Sequence, residues 1–146
     1  MPVPSLRAYL DELGAAGIPT GPFNMPDWEE SREGFERLLK SLFGGPTPPT
    51  ALILDEAFEF YASHHHLGRR GLKIPQDVSL VCTDNDPGFV WCEPAVSHIR
   101  WDYRPVVRRV IRWVNNIARG KDDRRQSFTK AEFVEGGTVG PVNGEL

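Results

Sequence analysis

The sequence predicts an α/β domain, a parallel sheet layered with helices. Short apolar runs of strand length alternate with amphipathic helices of about 12–15 residues, the pattern of βαβ units. The 146 residues suffice for one domain that buries roughly 70% of the surface its unfolded chain exposes, and fall short of two ordinary domains. The composition is globular, with 40% hydrophobic and 25% charged residues. Its 14 Gly and 13 Pro fall at separated positions, as loop punctuation does.

Ser5 to Ala16 reads as the first helix, because Leu6, Tyr9, Leu10 and Leu13 share one face. Ser5 is its expected cap, and Gly14 and Gly17 its end. An extended piece, Thr20 to Met25, is broken by Pro22 and Pro26. Asp27 is expected to cap a second helix reaching Phe43, with Trp28, Phe35, Leu38, Leu39, Leu42 and Phe43 as its apolar stripe. Glu29, Glu30 and Glu33 would sit in its first turns, where the helix dipole favours acids.

The loop Gly44 to Pro49 stops that helix. Thr50 to Leu54, TALIL, is apolar at nearly every position, as a buried parallel strand is. Ala57 to Arg70 is a third helix, ended by Gly71. Val78 to Cys82 is a second buried strand and Val96 to Arg100 a third. Pro105 to Arg119 carries the clearest helical period: Val106, Val107, Val110, Ile111, Trp113, Val114 and Ile117 on one side, with Arg108, Arg109 and Arg112 mostly on the other. Pro105 suits its first turn and Gly120 its end. Ser127 to Val134 is a last strand before the Gly-rich tail.

The formal charge is −3, which argues against a chain held to nucleic acid by net charge. Residues 1–60 balance at −6 and residues 61–146 at +3. No run reaches the roughly 18 apolar residues of a membrane span. The start, MPVPSLRAYL, lacks the basic residues and long apolar stretch of a signal peptide. Cys82 and Cys92 suit neither a disulfide scaffold nor a zinc motif and read as two reduced thiols in a cytoplasmic protein.

Polar chemistry collects after the strands. In open α/β sheets ligands bind beyond the carboxyl ends of the strands. Asp55 and Glu56 follow TALIL; Thr83, Asp84, Asn85 and Asp86 follow VSLVC. A parallel sheet brings both loops to one edge, where carboxylates and an amide can hydrogen-bond hydroxyls. Trp28 can cover the apolar face of a sugar ring; a few polar groups and an aromatic wall suit a small-ligand pocket. The plainer readings stand beside these: Asp55 and Asp84 as loop caps, Trp28 as core.

His64, His65 and His66 do not form a metal site, because consecutive helix residues point about 100° apart. Asp84 and Asp86 after a strand allow a magnesium-dependent phosphoryl-transfer reading, but no phosphate loop or balancing lysine accompanies them. Gly44-Gly45 is followed by no GK[ST]. No Ser-His-Asp or Cys-His pairing is placed, and neither cofactor nor metal is expected.

The run from Pro49 to Arg100 resembles the sensor domain of LacI/GalR-type bacterial transcription regulators. The match is ordered: PTALIL, a helix closing in RRGLKIPQDVSLV, an Asp-Asn pair, then CEPAVSHIR. Gly71 to Val81 is its most specific piece. Helix 105–119 with Gly120, the closing FVEGGTVGP and the opening Tyr9 to Pro19 extend the likeness over nearly the whole chain.

The resemblance implies a three-layer periplasmic-binding-protein-like (Rossmann-like) lobe, residues 1–146 matching the C-terminal part of a two-lobe effector sensor. The family's helix-turn-helix and N-terminal lobe have no counterpart in this sequence. It implies a non-catalytic, dimeric, repressor-type regulator that meets DNA only through that missing domain. Its effector would be a sugar or sugar acid. By position, Asp84 matches the family's ligand-contacting Asp, with Asp55 beside it. Trp28 matches an aromatic wall within one residue. Glu56 stands where many relatives have Asn, a departure, since an ionised Glu cannot donate. The family's ligand-binding Arg falls at Ser5, with Arg7 out of register. Tyr61, His65, Phe89 and Trp91 match segments near the dimer contact. The apolar side of helix 105–119, which packs on the missing lobe in relatives, is expected to be covered by another copy, by a swapped helix or by folding back. A transport-type sugar-binding lobe and a small phosphatase using Asp84 and Asp86 are the alternatives.

Overall fold

A computed structural model describes residues 4–141, with side chains from residue 6 onward. The chain divides into two compact units, Met1–Ser41 and Leu42–Leu146.

The first unit opens with helix α1 (Pro4–Ala15). It includes Ser5, the expected cap, whose side chain lies outside the described residues. It ends as foreseen at Gly17, where φ is +71° and the Ile18 N–H reaches back to the Leu13 carbonyl at 2.9 Å. The expected extended piece Thr20–Met25 is instead a turn. Pro22 has no N–H for a ladder, and Asn24 closes the loop by accepting from the Gly21 N–H and donating to the Pro19 carbonyl, each at 3.0 Å.

Helix α2 (Arg32–Gly44) starts later than Asp27. Its cap is Ser31, whose Oγ accepts from the Gly34 N–H at 3.0 Å. Gly34 is required there, since a Cβ would lie 2.0 Å from the Glu29 carbonyl oxygen. Trp28, Glu29 and Glu30 therefore precede the helix, and Trp28 folds onto Phe35 with ring centroids 4.9 Å apart.

The second unit holds a four-stranded sheet in sequential order: β1 (Ala51–Leu54), β2 (Ser79–Cys82), β3 (Ser97–Trp101) and β4 (Ala131–Val134). β1, β2 and β3 are parallel as expected, but β4 runs antiparallel to β3. A parallel crossover needs a helix that packs back onto the sheet. α4 (Arg104–Ala118) packs against no strand of this unit, so the chain returns along the side it left from. β1 is an edge strand here, and α3 is the one helix that packs on it among the described residues, so the expected fully buried run is covered on one face: Leu54 is buried and Ile53 is 55% exposed.

Helix α3 (Ala57–Arg69) covers β1 and β2. Its Phe60 and Leu67 form the core with Leu54, Leu80, Cys82 and Val96. Gly71, at φ +75°, ends it by letting the Leu72 N–H bond the Leu67 carbonyl. A short 3-10 turn, Pro87–Trp91, and the closing segment 135–141 complete the unit. Thr138, 1% exposed, stitches β2 to β3: its Oγ1 donates to the Leu80 carbonyl at 2.7 Å and accepts from the Ser97 N–H at 2.9 Å.

Candidate functional site

Parallel pairing of β1 with β2 sets Leu54 opposite Cys82, so the residues after each strand emerge at one edge. They meet directly. Thr83 Oγ1 lies 3.1 Å from Asp55 Oδ1 and 3.3 Å from the Asp55 carbonyl, as a hydroxyl donating to both does. Asp84 is half-buried beside this bridge, and its Oδ1 accepts from the Asn85 N–H at 2.7 Å, which leaves the second carboxylate oxygen for other partners. Glu56 lies exposed at the start of α3.

Asn85 carries the edge across to β3, its Nδ2 donating to the Trp101 carbonyl at 3.2 Å. There a cavity of about 600 Å³ opens, lined by Asn85, Trp101, Tyr103, Arg104, Arg100 and Lys130 among others. Asp55, Glu56 and Asp84 do not line it; Asn85 is the link between them and it. Trp28 stays in the first unit, on Phe35.

The cavity combines aromatic and charged walls. Tyr103 is 62% exposed and Trp101 39%. Arg100 pairs across the strands with Glu132 and holds that carboxyl below its ordinary range. Arg104 bonds Asp102 at 2.9 Å and does the same to it. Sequence reasoning named the ends of β1 and β2 but not Trp101 and Tyr103. The aromatic–acid–aromatic run Trp101-Asp102-Tyr103, which begins on the last residue of β3, is the sequence signal that would have found them.

The expected dimer residues separate into two kinds. Trp91 is 89% exposed, and Tyr61 and His65 also face solvent. Phe89 is only 4% exposed, under the rings of Phe60, Tyr61 and His98. Its apolar ring fills the core, so it supports this surface from beneath and offers little contact of its own. Tyr61 donates to Asp86 Oδ1 at 3.0 Å; desolvation and then Asp86 push its phenol up to about 12. The same Asp86 oxygen caps the 3-10 turn through the Gly88 N–H, so this carboxylate is committed to holding the loop. Cys82 and Cys92 are free thiols, and burial pushes Cys82 up to about 11.

The sequence profile of the periplasmic binding protein-like domain family matches residues 2–139. The HTH-type transcriptional repressor CytR of Escherichia coli is 27% identical over 94 residues, which are 64% of this chain and 28% of that protein. A LacI family transcriptional regulator from Enterococcus faecium, solved with bound ribose, superposes at a TM-score of 0.78 with 14% identity, over 94% of this chain and 51% of its own. A sugar-binding transcriptional regulator of the LacI family from Escherichia coli, complexed with phosphate, superposes at 0.71 with 19% identity, over 97% and 52%. The chain thus spans about a quarter of the curated relative and about half of these solved ones.

Proposed function

Because the chain belongs to the periplasmic binding protein-like domain family, we propose that it is the effector-sensing part of a LacI/GalR-like transcription regulator. In this reading it is cytoplasmic and non-catalytic, and it takes a sugar or sugar acid. The convergence of the Asp55 and Thr83–Asn85 segments at one sheet edge, beside the cavity at the end of β3, carries this reading. Asp84 accepts hydrogen bonds from adjacent sugar hydroxyls with its unengaged oxygen. Asn85, able to donate and accept, reads the next hydroxyl, and Trp101 and Tyr103 supply apolar walls. Asp55 and Glu56 shape the neighbouring rim. Relatives in the solved set include a ribose-bound and a phosphate-bound regulator, which supports a small polar effector.

Tyr61, His65 and Trp91 form the surface for a second copy, and DNA is met through a helix-turn-helix segment outside these 146 residues. A phosphatase reading has less support, since Asp86, the second carboxylate it needs, is engaged by Tyr61 and Gly88.

Calorimetric titration of the intact protein with a sugar panel that includes ribose tests the proposal. One member is expected to bind, and Asp84→Ala to weaken it about a hundredfold, as losing charge-assisted hydrogen bonds does. A panel without a binder, or an Asp84→Ala protein that binds as tightly as the parent, refutes the reading.

A further inference from the structure

The turn after β1 is held from below by a residue that the effector reading leaves unused. Glu59 lies in the first turn of α3 and is 8% exposed. The other buried positions of the helix are Ala57, Phe60, Ser63 and Leu67, and Glu59, at the third helical position, reaches back to the N-cap backbone as in a capping box. Burying a carboxylate is costly unless its lone pairs are satisfied. Desolvation raises the Glu59 pKa, opposed by two backbone hydrogen bonds. Those bonds give the residue its role: Oε2 accepts from the N–H of Asp55 at 2.9 Å and of Glu56 at 3.2 Å. Asp55 passes the constraint outward, because its carbonyl and Oδ1 both receive Thr83 Oγ1. Thr83 is also fixed through its own N–H on the Leu54 carbonyl at 2.8 Å, and Asp84 is the next residue.

We propose that Glu59 is a positioning residue for the effector site, fixing the direction of Asp84 through the relay Glu59–Asp55–Thr83. The relay concerns the chain itself, and its consequence for binding rests on the effector reading above. It predicts that the buried carboxylate acts by what it accepts and not by the space it fills.

Site-resolved amide hydrogen exchange on the whole chain, paired with ribose titration, separates the two. Glu59→Ala is expected to speed exchange at Asp55, Glu56 and Thr83 by about tenfold or more, while Leu80 and Ser97, whose N–H groups are held by Thr138, keep their protection. Ribose affinity should fall by about tenfold with it. Glu59→Gln, whose amide oxygen can accept both bonds, should stay within about threefold of the parent on both readouts. Thr83→Val should lower ribose affinity as Glu59→Ala does yet leave the Asp55 and Glu56 amides protected, and the double variant should lose no more than the worse single one. Should Glu59→Ala fail to fold, Glu59→Asp, one methylene too short for the contact, takes its place. Unchanged exchange at Asp55 and Glu56 in the Ala or Asp variant overturns the relay, as do fully additive affinity losses. If the parent binds no ribose, the exchange rates alone decide the relay, and the effector reading is judged on the rest of the sugar panel.

Discussion

Helices α3 and α4 are cut from similar cloth, yet they end in opposite environments. Both are amphipathic, of 13 and 15 residues, and both close on a glycine with φ near +70° to +75°. α3 buries five residues against β1 and β2. α4 buries none: Val106, Val107, Val110, Ile111, Trp113, Val114 and Ile117 remain 42–56% exposed. Its attachments are polar. Asp123, its side chain 3% exposed, bonds Arg109 at 2.9 Å and Asn116 at 2.7 Å and ties the following loop to the helix. An apolar face thus supplies the drive for burial, while the partner surface decides whether burial happens. Of the three expected covers for this face, folding back does not occur among the described residues.

The sharpest break of this contrast is thermodynamic. Phe60→Ala, emptying a site 1% exposed, should cost about 3–5 kcal/mol in urea unfolding. Trp113→Ala, at a site 45% exposed, should cost less than about 1 kcal/mol in dilute protein. Equal losses would mean that α4 is covered in solution.

Cover by a second copy or a swapped helix can be measured directly. The chain should sediment above its monomer mass or bind a hydrophobic dye, and Ile111→Glu should diminish whichever is seen. A clean monomer that ignores the dye would sink that expectation.

The smallest effect separates the two regions by pH. Arg125 and then Asn116 hold the Asp123 carboxyl well below the usual carboxylate range. Its folded pKa is lower than the unfolded value of about 3.9, so the unfolded chain takes up the proton first as pH falls. The contribution of Asp123 is therefore present above about pH 4 and fades below it. Amide protection around Asp123 and the end of α4 should drop there before that of β1 and β2, and Asp123→Asn should remove the difference. Simultaneous loss in both regions would contradict this.

Legibility in the sequence followed the range of the interaction. The period of α3 and α4, the strands of TALIL and VSLVC, and the glycine stops were readable because each depends on neighbours a few residues away. The start of α2 was misplaced because Asp27 and Ser31 both have capping chemistry, and only Ser31 is positioned to receive the Gly34 N–H. At the site, the meeting of Asp55 with Thr83 followed from parallel pairing alone. The cavity beside Asn85 did not, because it needs Trp101 and Tyr103 brought alongside by β3.

The sequence by itself determined the helical stretches of α1, α3 and α4, the strands in TALIL and VSLVC, which residues are apolar on each, and which polar residues follow each of those strands. Tertiary structure alone decided that β4 runs antiparallel, that β1 is an edge, that Phe89 is core while Trp91 is surface, and that Glu59 sits beneath the Asp55 turn. The physical reason is that periodicity and capping act within a turn or two of chain, whereas burial and register depend on surfaces distant in sequence, which no local pattern specifies.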